Sequence, residues 1–233
     1  MRPVYLLIPA GGQGLRMGGG VPKAFRPWGG RPLLRATVEA FLAPGMPSLA
    51  GVALAVPADR VREARAWDFG LPAWVVAGGT TRQASVSFAL AALPEEPAAA
   101  VLIHDGVRPF PPAEPIHLAL AALDEVDGAV LAEPSTDTLK RIDARGLVIA
   151  TEPRESIVRA QTPQVSTLAL WRRAFAAAAV QNLVATDDAA LLEYLGLRVK
   201  VIPSPTSNVK LTTPQDWARW APHPVADLPT SDS

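Results

Sequence analysis

A doubly wound α/β fold with a mostly parallel central sheet and a protruding β-arm is what this sequence predicts. Three observations carry the prediction. Short, unbroken apolar runs alternate with segments of helical spacing, the rhythm of βαβ units. Several of these runs end in turns bearing glycine or aspartate, at the strand ends where open α/β sheets bind ligands. The chain has 233 residues, nearly half of them apolar, enough for one sizeable core and short for two.

The elements follow in order. Residues 4–8 are continuously apolar, which suits a strand covered on both faces, and they run into a glycine loop. That run is far too short to span a bilayer, so it is read neither as a membrane segment nor as a signal core. Residues 32–42 have helical spacing, 52–56 are strand, and 59–67 are polar and helix-like. Residues 74–77 form a short strand ending in Gly78-Gly79, and 80–93 a helix ending before Pro94. Strand 100–103 ends in His104-Asp105-Gly106, followed by helix 115–123 and strand 129–132. Right-handed crossovers then place helices on both faces of the sheet.

Residues 135–153 break the rhythm. Two alternating runs, 138–142 and 147–151, flank Asp143-Ala144-Arg145-Gly146, a hairpin signal. They predict an arm projecting from a single domain of residues 1–220, either of the kind that embraces a second subunit or a surface hairpin with no partner. Residues 168–180 and 187–195 read as helices, the second with Thr186 as its N-cap. Residues 198–202 are a late strand and 214–220 a closing helix opened by proline. Residues 221–233 carry Pro, Asp, Ser and Thr and are expected to be a flexible tail.

The formal net charge is zero, so no nucleic-acid or membrane partner is held by bulk electrostatics. Any phosphate ligand must meet local cations. The chain has no cysteine, which excludes thiolate catalysis and a disulfide scaffold and is compatible with a cytoplasmic home. Lysine occurs only at 23, 140, 200 and 210, against 18 arginines. Where arginine is the default cation, each lysine is a candidate for a specific task.

The strongest motif is Pro9-Ala10-Gly11-Gly12-Gln13-Gly14-Leu15-Arg16-Met17-Gly18, followed by Pro22-Lys23. Glycines after the first strand let backbone amides approach a polyphosphate, and Arg16 and Lys23 add charge to the same anion. A Walker A loop would need Gly-Lys-Ser/Thr, and a dinucleotide fingerprint a third glycine where Met17 stands. Gly78-Gly79-Thr80-Thr81-Arg82-Gln83-Ala84-Ser85 can set backbone groups and Ser85 against a base edge, or be an ordinary strand-to-helix turn. Asp105 can hold Mg²⁺ between phosphate oxygens or cap a helix. His104 reads as structural rather than as a base. Thr138, Arg154, Thr186 and Lys210, taken singly, read as a strand hydroxyl, a surface cation, a cap and a strand-end lysine.

Together these segments resemble the 2-C-methyl-D-erythritol 4-phosphate cytidylyltransferase family of the non-mevalonate isoprenoid pathway, from about residue 3 to 220. The resemblance also covers Asp137-Thr138-Leu139-Lys140-Arg141, Gln161-Thr162-Pro163-Gln164, Thr186-Asp187-Asp188 and Asn208-Val209-Lys210-Leu211-Thr212. It implies a Rossmann-like nucleotidyltransferase that uses CTP, a polyol phosphate and Mg²⁺ or another divalent cation, acting as a homodimer through the arm. It implies that Arg16 and Lys23 bind the triphosphate and stabilise the transition state, with Ala10, Gly11, Gly12 and Gly14 in the same loop. Gly79 and Ser85 match cytosine contacts, and Asp105 the metal ligand. Thr138 and Arg154 match residues that reach across a dimer to the acceptor, whose pocket Arg108, Thr186 and Lys210 also line. The chain departs from the family's usual pattern at Gly106-Val107, Ser207 and Thr80. Rival readings are a sister enzyme acting on ribitol 5-phosphate, a molybdenum-cofactor nucleotidyltransferase, and a non-catalytic nucleotide-binding module.

Overall fold

The computed structural model describes residues 2–11 and 20–220. Gly12, Gly14 and Arg16 therefore lie outside the described residues, as does the 221–233 tail. The chain opens with β1 (Val4–Pro9), a small hairpin of β2 (Pro27–Trp28) and β3 (Arg31–Pro32), and α1 (Leu33–Ala40). It continues through β4 (Gly51–Val56), α2 (Val61–Arg65), β5 (Ala73–Ala77), α3 (Arg82–Ala92), β6 (Ala100–Ile103), α4 (Ala113–Ala122) and β7 (Gly128–Pro134). The arm is β8 (Leu139–Ile142) and β9 (Val148–Glu152). The chain re-enters the sheet as β10 (Val158–Thr167), then forms α5 (Leu168–Val180), α6 (Ala189–Tyr194), β11 (Val199–Pro203) and α7 (Pro214–Trp220).

Seven strands form the main sheet in the order β11-β7-β10-β6-β1-β4-β5. Every pairing is parallel except the two made by β10. The unbroken apolar strands follow from this topology. Leu6 and Ile8 of β1 pack with Leu34 and Val38 of α1 and Ile116 of α4 on one face. Tyr5 and Leu7 pack with Val86 and Leu90 of α3 and Trp171 of α5 on the other. Side chains alternate across the sheet, so a strand covered on both faces needs apolar residues at every position.

Successive strands run outward from β1 to β4 and β5, and the chain then crosses back to place β6 on the other side of β1. The crevice beyond the C-terminal ends of β1 and β6 is therefore the switch point where such sheets bind ligands.

β10 is not foreshadowed by the apolar pattern. Gln161, Thr162, Gln164 and Ser166 are buried polar residues, and Pro163 lies among them. An interior strand tolerates proline only where its ladder is interrupted, and the pairing with β7 shifts register between Ala160 and Gln164. Thr186 is not the cap of α6. The free N–H groups of Ala189 and Ala190 are taken by Gln164 Oε1 at 2.7 Å and Asp187 Oδ1 at 3.0 Å. Thr81 caps α3 instead, accepting from the Ala84 N–H at 3.0 Å.

Candidate active site

β6 ends at Ile103, and the next two residues set the chemistry of the crevice. His104 is fully buried, with Phe41 edge-on at 4.8 Å. The Asp105 N–H donates to Thr162 Oγ1 at 3.0 Å, which leaves the threonine proton for His104 Nδ1 at 3.1 Å. His104 Nε2 then carries the ring proton and donates to the Arg108 carbonyl at 2.9 Å. Both nitrogens are thus committed to fixing the 104–108 turn. Burial pushes the imidazole down to about 4, so the ring is neutral and structural, as the sequence predicts.

This arrangement makes stability pH-dependent. Folded His104 resists protonation while the unfolded chain takes a proton near pH 6.5, so stability is complete above that value and drains away as pH falls toward 4. The expected loss is about 1.4 kcal/mol per pH unit across the window, about 3 kcal/mol in all. Denaturant unfolding of the wild type and His104→Gln between pH 7 and 4.5 checks this. The variant's stability should fall less steeply; parallel curves would remove His104 as the cause.

Asp105 faces three cations. Lys210 Nζ lies 2.9 Å from Oδ2, Arg82 Nη2 3.4 Å from Oδ1, and Arg108 Nε 3.5 Å from Oδ2. Burial opposes ionisation, but Arg82, Lys210 and Arg108 outweigh it and hold the carboxyl well below the usual carboxylate range. It is a permanent anion inside a positive ring, not a helix cap.

Lys210 comes from the far end of the chain. Asn208, fully buried, donates from Nδ2 to Gln161 Oε1 and to the Thr162 carbonyl, both at 2.8 Å. Its own carbonyl accepts from Arg108 Nη1 at 2.6 Å. Leu211 is buried in a small cluster with Trp28, against which α7 lays Trp217 and Trp220. Trp217 meets Trp28 at 5.4 Å, and Trp220 meets Phe110 at 5.5 Å. Lys210 is thereby pinned from both sides.

Lys23 opens a single 3-10 turn (Lys23–Phe25) whose Ala24 and Phe25 are buried. It lines one cavity of about 260 Å³ with Ala10, Gly11, Arg82, Ser85, Asp105 and Lys210. A second, more polar cavity of about 300 Å³ is lined by Arg82, Asp105, Arg108, Thr162, Thr186 and Lys210. The two share Arg82, Asp105 and Lys210. Ser85 Oγ accepts from the Gly79 N–H at 3.1 Å and donates to the Thr81 carbonyl at 2.9 Å, fixing the strand-to-helix turn at the cavity wall.

Gly11 has a packing reason beside any ligand reason. A Cβ on Gly11 would stand 2.9 Å from Gly78 Cα, and one on Gly78 2.7 Å from Gly11 Cα. The first and third parallel strand ends thus meet backbone to backbone. Gly106 is likewise enclosed, since a Cβ there would meet Ile8 and Leu34 at 2.9 Å.

The structure brings together Ala10, Gly11, Lys23, Ser85, Asp105, Arg108, Thr186 and Lys210 around these two cavities. Gly79 borders the first through its bond to Ser85. It does not bring Thr138 or Arg154 there. Thr138 is exposed, and Arg154 turns to the Thr136 carbonyl and Glu155, each at 3.5 Å. Sequence reasoning missed Arg82 and Asp188, whose side chains pair at 2.6 Å, and the clamp made by Asn208. Arg82 lay inside a quoted motif, but only the fold shows that it meets a carboxylate more than a hundred positions away. Among the described residues no three acidic or histidine side chains form a metal-binding cluster.

Comparisons with known proteins give the family and support the fold. The family model described as 2-C-methyl-D-erythritol 4-phosphate cytidylyltransferase matches residues 4–221. A relative with that description from Acidobacterium capsulatum is 38% identical over 225 residues, covering 91% of this chain and 93% of its own. The crystal structure of the enzyme so named from Thermus thermophilus superposes with a TM-score of 0.74 at 36% identity, over 93% of this chain and 96% of that one. A 4-diphosphocytidyl-2C-methyl-D-erythritol synthase from Anaerococcus prevotii gives 0.79 at 28% identity, over 94% and 96%.

Proposed function

The chain belongs to the 2-C-methyl-D-erythritol 4-phosphate cytidylyltransferase family and transfers CMP from CTP to that acceptor in the non-mevalonate isoprenoid pathway, and we propose that it does so across the two cavities that meet at Asp105. The observation that carries this placement is that Lys23 and Lys210, two of only four lysines, line one cavity with the buried Asp105, which Lys210 touches and which a second, adjoining cavity shares. Residues 1–220 act as one nucleotidyltransferase domain on this reading.

CTP occupies the cavity beside Ala10, Gly11 and Ser85, with its triphosphate toward Lys23. The acceptor phosphate enters the polar cavity beside Arg108 and Thr186. Its second pKa is about 6, so it is already an anion at neutral pH and needs no general base. That agrees with a His104 whose two nitrogens are occupied. A phosphate oxygen attacks the α-phosphorus, forming the new P–O–P bridge, while the bond from that phosphorus to the β-phosphate oxygen breaks and pyrophosphate leaves. The obstacle is repulsion between anions, which Lys23 and Lys210 offset and which close positioning turns into an in-line encounter.

Asp105 suits Mg²⁺ or another divalent cation that is shared with nucleotide phosphates, since such ions take one or two carboxylates and fill their shell with phosphate and water. Three cations already surround this carboxylate, so it suits an ion that arrives with the polyphosphate. Held by Asp105, such an ion would supply positive charge against the phosphates.

The acceptor pocket is completed by a second copy. Ile142, Leu147, Val148 and Ile149 of the arm are all more than half exposed. A two-stranded hairpin with an uncovered apolar surface is marginal alone and marks an interaction site. Dimerisation would carry Thr138 and Arg154 to the partner's acceptor cavity. Arg154→Ala is then expected to raise the acceptor KM by about tenfold and leave the CTP KM unchanged. Steady-state kinetics on both substrates checks it, and an unchanged acceptor KM removes Arg154 from the pocket. The reaction belongs in the cytoplasm, where nucleoside triphosphates are held. Pyrophosphate release with CTP, Mg²⁺ and methylerythritol phosphate tests the whole reading. Equal release with ribitol 5-phosphate or GTP would overturn the assigned specificity.

A further inference from the structure

Arg82 has no part in the mechanism above, yet it stands at its crossing point. It is the first residue of α3, directly after the Thr81 cap. Its guanidinium reaches two buried carboxylates on different elements, Asp188 Oδ1 at 2.6 Å and Asp105 Oδ1 at 3.4 Å. The Asp188 side chain is 3% exposed, whereas that of Arg82 remains 37% exposed. One edge of the fork is therefore anchored by a short ion pair, and the other is loosely held and open. Arg82 and Lys210 are also the cations common to both cavities, and both touch Asp105.

We propose that Arg82, anchored by Asp188, is a further substrate-contacting cation that holds the acceptor phosphate beside the nucleotide α-phosphate, opposite Lys210. This rests on the reading of the two cavities given above. A guanidinium suits the task because its planar fork can keep one partner while binding phosphate oxygens along a second edge. The long contact with Asp105 is the one it gives up. That exchange would also free Asp105 Oδ1 as phosphates arrive. A lysine at this place offers charge without the fork. The competing role is a strut joining α3, β6 and α6 by charge pairing alone.

The two roles separate in one experiment on the full chain. Thermal unfolding, kcat and both KM values are measured for the wild type, Arg82→Met, Arg82→Lys and Arg82→Met/Asp188→Asn. Arg82→Met leaves Asp188 buried without its partner and should lower Tm. The double variant removes both charges, and its Tm should recover toward the wild type. Its kcat should nonetheless stay down by about 100-fold or more, with the acceptor KM raised more than the CTP KM. Arg82→Lys should fall between it and the wild type. A strut predicts instead that activity returns with Tm. A kcat within about threefold of wild type in the double variant, or in Arg82→Lys should the double variant not fold, overturns the role of Arg82. A wild type that releases no pyrophosphate from CTP and methylerythritol phosphate overturns the reading beneath it, and the proposal with it.

Discussion

Lys23→Ala is expected to lower kcat by about 100- to 1,000-fold while leaving the KM for CTP within a few-fold of wild type. The asymmetry follows from where the charge is needed. Negative charge gathers on the transferring and leaving phosphates as the bond breaks, so a fixed cation there contributes more in the transition state than in the bound complex. The support beneath Lys23 is rigid. Pro22 fixes the entry to the turn, the Phe25 N–H donates to the Pro22 carbonyl at 2.8 Å, and Phe25 packs against Trp67 at 5.7 Å. Lys23→Arg tests whether charge alone suffices, and partial recovery is expected. Single-turnover measurements on saturated enzyme separate the chemical step from binding. A near-normal rate in Lys23→Ala would remove the residue from the reaction.

Asp105→Asn should be more severe and should act on two observables at once. Activity is expected to fall by about 1,000-fold. The variant keeps the shape of the side chain but removes the charge that Lys210, Arg82 and Arg108 face. Removing one partner from a buried charge cluster commonly costs about 3–5 kcal/mol. The solvent reaching Lys210, whose side chain is 45% exposed, should hold the effect at the lower end. Its pH signature has a definite sign. Wild-type Asp105 is ionised far below the unfolded carboxylate, so its contribution is present above about pH 4 and is lost as pH falls below that value. Urea titrations at pH 7 and pH 3 should show a wide gap between wild type and variant at the first and a gap smaller by about 1 kcal/mol at the second, because most of the loss lies at still lower pH. Equal gaps at both would mean that the ion pairs do not stabilise the fold.

Much of this site can be read from one line of sequence because its parts sit at the ends of apolar runs. Asp105 follows Ile103 by two residues, and Ala10-Gly11 follows Ile8 by two, so predicting each strand also places its neighbour at the crevice. The hairpin arm was equally legible from Asp143 and Gly146 between two alternating runs. β10 was not. Apart from Pro163 and Val165 its buried positions are Gln, Thr and Ser, held by partners such as Asn208, and so polar an interior leaves no hydrophobic period to detect. The pairing of Arg82 with Asp188 was hidden for a related reason. The charge of a residue is visible in a sequence, but the distant carboxylate that neutralises it depends on which strands become neighbours. Gly11 was singled out for a ligand, and its close packing against the backbone of Gly78, the residue after β5, was not foreseen, because nothing local in the sequence signals that contact.

The indole cluster beside Lys210 makes the protein its own optical gauge. Trp28 and Trp217 meet edge to face, and Leu211, one residue from Lys210, shares their cluster. Any shift of that lysine as phosphates load should disturb ring packing and hence tryptophan emission. Substrate entry would then be visible by stopped-flow without a dye, and Trp217→Phe would dim the signal at its source.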